Sequence, residues 1–233
     1  PLGGTRPITL TPMLYRIICK QAFSVQHWEE SRDTVHESAG KGKSALAAAL
    51  IRNIVAEVTV GCGGFVAALL NDFEKFYDHI DIPTLILQGI KHCFPLEWLL
   101  VLVVQHTAPR VLKAGNMLSQ PIGVTSSIVA GCRCSLALTK LYLLEGVEGL
   151  RALDSKNTIY KYCDDIPITT IGTTQGVLKR ICLIAVEYGI FAKRWHQVMS
   201  TKSNLVTSDF NVTKRLSKQL HKLGCHYGPE PSA

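Results

Sequence analysis

Tyr160-Lys161-Tyr162-Cys163-Asp164-Asp165-Ile166-Pro167-Ile168 sets two adjacent carboxylates between aromatic and β-branched residues, with no Gly, Asn or Ser to make an ordinary surface turn. Thr158, Ile159 and Tyr160 on one side and Ile166, Ile168 and Thr169 on the other predict two short strands. Asp164 and Asp165 then fall in the bend of a hairpin. Neighbouring carboxylates repel, so a folded chain keeps both ionised only beside a cation or in full contact with water. A hard divalent ion such as Mg²⁺, which takes oxygen ligands and retains several waters, suits such a pair. Taken alone, the pair would be an exposed Asp-Asp turn; the rest of the chain changes that.

Upstream, Phe65-Val66-Ala67-Ala68-Leu69-Leu70 is a short continuous apolar run, the pattern of a strand buried on both faces. It delivers Asp72 at its end, where sites in mixed structures gather. If this strand neighbours the hairpin, three carboxylates converge, enough to hold two metal ions about 3.5–4 Å apart. Such a pair clamps the attacking and leaving oxygens of a phosphoryl displacement, so nucleotidyl transfer is the reaction it best serves. The alternative for Asp72 is a cap on the helix-like turn from Phe73 to His79.

Further out, Thr5-Arg6-Pro7-Ile8-Thr9-Leu10 is expected to be extended, because proline forces its predecessor out of helical space. A helix is predicted from Met13 to Phe23, entered through Pro12, with Gln26 to Lys43 as loop. An Ala/Leu/Ile-rich helix follows from Ser44, its N-cap, to about Val58, and Gly61, Gly63 and Gly64 end it. Helices are predicted at Pro83–His92, Pro95–Thr107, Cys134–Leu144 and Gln175–Ala192, with loop and edge structure from Gly123 to Val129. Val198 to Thr207 is expected to hold a strand, and Lys214 to Leu223 a basic amphipathic helix.

The chain has 233 residues, 47% hydrophobic and 18% charged, which supports a packed core and excludes disorder. Its net charge of +7 is compatible with a polyanionic partner. The eight cysteines form no Cys-x-x-Cys pair, a pattern of free thiols in an intracellular, reducing compartment, nucleus or cytoplasm. Apolar runs such as Trp98 to Val104 are too short to span a bilayer, so no membrane partner is expected. Pro1 is not an initiator residue, and the chain is taken for a fragment of something longer.

Several segments resemble reverse transcriptases in that family's order. Asp72-Phe73-Glu74-Lys75-Phe76-Tyr77-Asp78 resembles the first palm motif, a strand-end Asp followed by an aromatic pair and a second Asp. Tyr162-Cys163-Asp164-Asp165 is similar to the Tyr-x-Asp-Asp signature. Ala130-Gly131-Cys132-Arg133-Cys134-Ser135-Leu136 and the helix after it resemble the Gln-Gly-x-x-x-Ser-Pro segment. Arg6-Pro7-Ile8 and Gly42-Lys43-Ser44 match two fingers segments, and Thr201-Lys202-Ser203 the lysine motif. The resemblance covers nearly the whole chain and is nearest the non-LTR retrotransposon and group II intron branches.

It implies an α+β fold: a polymerase-type palm with an antiparallel sheet packed on helices, plus partial fingers and no thumb. Residues 1–64 would be partial fingers and 65–233 palm, with 95–122 a fingers/palm connection. Asp72, Asp164 and Asp165 would be catalytic and hold two Mg²⁺ ions, or Mn²⁺. Tyr77 would exclude a 2′-hydroxyl, having no room for that oxygen against its ring. Gly131, lacking a Cβ, would let the backbone approach template or nascent base pair. Arg6 would meet the triphosphate with its forked guanidinium, and Lys202 would protonate or neutralise the leaving pyrophosphate. For Arg6 and Lys202 a solvated surface charge remains the alternative, and for Tyr77 a core tyrosine.

The partners implied are an RNA template, a DNA primer and deoxynucleoside triphosphates; the oligomeric state stays open. Ala130 stands for the usual Gln and Leu136 for the usual Pro, Lys193 competes for the lysine role, and no thumb is expected after Tyr227. A catalytically decayed nucleic-acid-binding palm and an RNA-templated RNA polymerase are the rivals. Gly40-Lys41-Gly42-Lys43-Ser44 is not a phosphate loop, since Glu37 stands where the first Gly is needed. His221, Cys225 and His226 lack a second ligand pair for zinc. Cys132 and Cys134 are expected to be small buried residues at a helix start.

Overall fold

The structure is a computed structural model that describes residues 11–34 and 37–230. Arg6 and the extended segment Thr5–Leu10 lie outside the described residues. The chain divides into two compact units, one of Pro1–Ser31 and Tyr77–Leu141, the other of Arg32–Phe76 and Tyr142–Ala233.

The second unit is built on a five-stranded sheet. In spatial order its strands are β4 (Asn157–Ile159), β5 (Ile168–Gly172), β1 (Phe65–Leu70), β6 (Asn204–Thr207) and β7 (Gly228–Pro229). The first four pair antiparallel, and β7 adds in parallel to β6. This is the mainly antiparallel sheet that the resemblance implied, with the apolar run as its central strand. The parallel strand β7 is an addition, and Pro229, which cannot donate to a ladder, sits on the sheet's edge.

Register puts Ala68 between Thr169 and Val206, and Leu69 between Ile168 and Leu205. Side chains alternate across a strand, so these two rows face opposite ways. The row with Ala67, Leu69, Ile168, Thr170 and Leu205 is fully buried. Helix α7 (Thr174–Arg194) packs on β1 and β5, and its Ile181, Ile184, Ala185 and Tyr188 are buried. The Thr173 side chain caps it, accepting from the Gly176 N–H. Helix α8 (Phe210–Lys222) packs on β6 and β7. It starts four residues before the predicted Lys214 because the Asp209 carboxylate accepts from the Asn211 and Val212 N–H groups.

The opposite row meets α3 (Ala45–Gly61), which is capped by Ser44 as expected. None of α3's side chains is buried. Between it and Val66, Ala68, Leu70 and Val206 lies a cleft of about 690 Å³, so β1 is not closed over on both faces as its apolar run suggested.

In the first unit, α1 (Met13–Cys19) and α2 (Phe23–Ser31) replace the single helix predicted to Phe23 and part of the loop predicted from Gln26. Trp28 explains the second helix: it is buried, stacks edge-on to Phe94 and donates to the His92 carbonyl at 2.9 Å. Helix α4 (Ile82–Lys91) is capped by Asp81 and followed by α5 (Leu96–Thr107). A short hairpin pairs β2 (Lys113–Ala114) with β3 (Met117–Leu118). Helix α6 (Ser135–Leu153) begins in the first unit near the predicted Cys134, but its residues from Tyr142 on belong to the second unit, and it runs nine residues past Leu144. Gly146 does not end it, because this glycine leaves room for the ring of Phe191; a Cβ there would collide with it. No helix among the described residues is long and apolar enough to cross a membrane.

Candidate active site

Asp164 sits in the two-residue tip of a hairpin, and Asp165, expected in the bend beside it, lies in the pair that closes the tip. Tyr162 and Asp165 exchange both backbone hydrogen bonds at 2.9 Å, leaving Cys163 and Asp164 at the tip with Cys163 at φ 56°. Asp72 lies two residues beyond Leu70. Its N–H donates to Ser203 Oγ at 3.1 Å, and its carbonyl accepts from the Ser200 N–H at 2.9 Å and from the Ser203 hydroxyl at 3.2 Å. Phe73 bridges to Met199 and turns its ring inward onto Tyr188 of α7, so alternation sends the Asp72 side chain to the cleft-bearing face.

The charges of Asp164 and Asp72 act on Asp165. Asp165 keeps contact with water, yet the protein packed round it, then the charge of Asp164 and then that of Asp72, push its carboxyl up to about 6. Burial is the larger cause, and the two neighbouring negative charges add to it, a part that a nearby cation would relieve. Like charges this near repel, and among the described residues no three His, Cys, Asp or Glu close into a metal-holding cluster.

Below them lies a buried layer that the sequence did not announce. Asn71 is buried, donates through Nδ2 to the Ile166 carbonyl at 2.8 Å, and accepts through Oδ1 from the Tyr227 hydroxyl at 2.6 Å. Tyr188 is fully buried, and its ring stacks on Phe73 with centroids 5.6 Å apart. Its hydroxyl has no hydrogen-bond partner among the described residues. Burial first, then Tyr227, Asp165, Asp72 and Asp164, hold its proton on. The one signal for this layer was a polar Asn71 closing an apolar run; Tyr188 and Tyr227 look like ordinary core aromatics in the sequence.

Lys202 stands in the turn between Ser200 and Ser203 that holds the Asp72 backbone, and it is exposed. Tyr77 and Gly131 belong to the first unit. Tyr77 opens onto a 3-10 turn and is half-buried, its carbonyl accepting from the Ile128 N–H at 2.9 Å. Gly131 has φ +83°, and an added Cβ would meet no atom within 4 Å. Its backbone conformation therefore requires glycine, while the space beside it stands open. Lys43 pairs with Asp33 at 3.2 Å, and Cys132 and Cys134 are buried as expected.

No family model matches the chain, and no curated protein matches it in sequence. Two solved structures are similar to it in fold. One is apo telomerase from Candida tropicalis truncated from its C-terminal domain, with a TM-score of 0.53 and 9% identity over 84% of this chain and 41% of that one. The other is telomerase from Candida tropicalis in complex with the TWJ fragment of telomeric RNA, with a TM-score of 0.59 and 9% identity over 81% and 33%. The chain spans less than half the length of either. Its fold is reverse-transcriptase-like, of the polymerase palm type.

Proposed function

We propose that the chain carries the palm of an RNA-directed DNA polymerase of a retroelement, of the non-LTR or group II intron type. It joins deoxynucleoside triphosphates to a primer 3′-hydroxyl on an RNA template. The observation that supports this reading is that the charges of Asp164 and Asp72, added to burial, raise the carboxyl of Asp165.

The donor set fits hard cations. Asp72, Asp164 and Asp165 would offer them oxygen ligands. These three would hold two Mg²⁺ ions, or Mn²⁺, which would supply charge neutralisation for the attacking and leaving oxygens of an in-line displacement. The serines that fix Asp72 also fix the turn bearing Lys202, which neutralises or protonates the departing pyrophosphate. Tyr77 selects the sugar, Gly131 admits the base pair and Arg6 meets the triphosphate. The excess of 25 Lys and Arg over 18 Asp and Glu favours a phosphate backbone, with binding that weakens as salt rises.

The test is primer extension on RNA with Mn²⁺ titration alongside. Asp164→Ala is expected to abolish incorporation and to weaken Mn²⁺ binding, with circular dichroism unchanged. Incorporation that survives the substitution would overturn the metal assignment. Salt-dependent RNA binding with neither Mn²⁺ binding nor incorporation would make the chain a palm that binds without catalysis, the reading that Ala130 and Leu136 favour.

A further inference from the structure

We infer that Asn71 and Tyr227 are positioning residues that set the distance between the two halves of the carboxylate site, an inference that rests on the two-metal reading. Asn71 directly precedes Asp72, and Ile166 directly follows Asp165. The β1–β5 ladder ends at Leu69 and Ile168. Pro167 has no N–H with which to continue it. Beyond that point a side chain links the strand and the hairpin, the Asn71 amide donating to the Ile166 carbonyl at 2.8 Å.

An amide can turn over, and a misplaced one would tie nothing. Tyr227 prevents this. Its hydroxyl donates to Asn71 Oδ1 at 2.6 Å, which leaves only the NH₂ end for Ile166. Tyr227 is itself held from α8, where the Ser217 hydroxyl donates to the Tyr227 carbonyl at 2.6 Å. Asn71 and Tyr227 are 3% and 1% exposed, so water cannot substitute when either bond is broken. The residue before one metal ligand and the residue after another are thus joined by one planar group whose orientation is dictated from the far end of the chain. Three mutually repelling carboxylates need such a brace, because their own charges drive them apart. Neither residue touches substrate or cation; each acts through the backbone of the ligands.

Two variants, Asn71→Leu and Tyr227→Phe, test the brace. Each keeps the bulk and removes the hydrogen bond. Mn²⁺ binding is followed by electron paramagnetic resonance on the purified chain, with Asp164→Ala as reference and thermal midpoints recorded for all. The half-saturating Mn²⁺ concentration is expected to rise about tenfold or more in Asn71→Leu, and by a smaller factor in Tyr227→Phe, in the range outer-shell partners of metal ligands show. Excess Mn²⁺ restores full occupancy in both, and not in Asp164→Ala. A merely structural role would lower the thermal midpoint and leave half-saturation of the folded protein unchanged; that result overturns the inference while the two-metal reading stands. A wild-type chain that binds no Mn²⁺ better than Asp164→Ala overturns the two-metal reading itself, and the brace with it.

Discussion

Adjacent threonines on β5 show how differently the two faces of the sheet are built. Thr170 points to the closed face, is fully buried, and its hydroxyl accepts from Arg180 Nε of α7 at 2.9 Å. Thr169 points to the cleft beneath α3, is 5% exposed, and its hydroxyl has no partner among the described residues. The closed face is packed tightly under α7; the open one borders a cleft, and Asp72 stands at its end. Stability is invested on one side of the strand and the candidate chemistry on the other, with a side-chain period of two keeping them apart.

The largest test of that contrast compares two deletions. Leu69→Ala on the closed face is expected to cost about 2–5 kcal/mol, as for other large cavities in packed cores. Val206→Ala beside the cleft should cost under about 1 kcal/mol, because water already reaches that space. Urea denaturation midpoints decide it, and equal losses would erase the distinction. A smaller effect carries opposite signs on neighbouring residues. Thr170→Val should lose about 1–2 kcal/mol with its hydrogen bond, whereas Thr169→Val should be neutral or gain up to about 1 kcal/mol by removing an unpaired hydroxyl. A loss in Thr169→Val equal to that in Thr170→Val would show that its hydroxyl is satisfied after all.

The smallest effect is the pH dependence at the open face's end. Asp165 has its carboxyl at about 6 in the folded chain against an ordinary 3.8, so the folded state binds that proton more tightly than the unfolded one. Metal-free stability should therefore be highest below about 4 and decline as pH rises towards 6, then level off. The decline is slight, since Asp165 is in contact with solvent. Thermal midpoints in chelator between pH 4 and 7 would show it, and Asp164→Asn should flatten the slope by removing one of the repelling charges. A midpoint that climbs through this window would contradict the raised carboxyl of Asp165.

How far the sequence was legible differs between the same two faces. Continuous apolar β1 and the cap Ser44 are local signals, and the structure uses them where residue types alone put them. The Asp-Asp hairpin was legible because two like charges between strand-forming residues have few places to go. Trp28 was not, since its helix forms on the strength of a bond to His92 and a ring contact with Phe94, both more than sixty positions away. Nor could periodicity show that Pro229 joins an edge beside β6, where the strand it meets supplies the pairing.

Residue types and their order alone determined that acidic groups stand at the ends of a buried strand and in a hairpin bend, because hydrophobic runs, turn chemistry and charge repulsion act over a few neighbours. Tertiary structure decided which groups hold those acids in place. Asn71 and Tyr227 come together from strand and chain end, and a buried polar atom acquires its meaning only from the partner that folding brings to it.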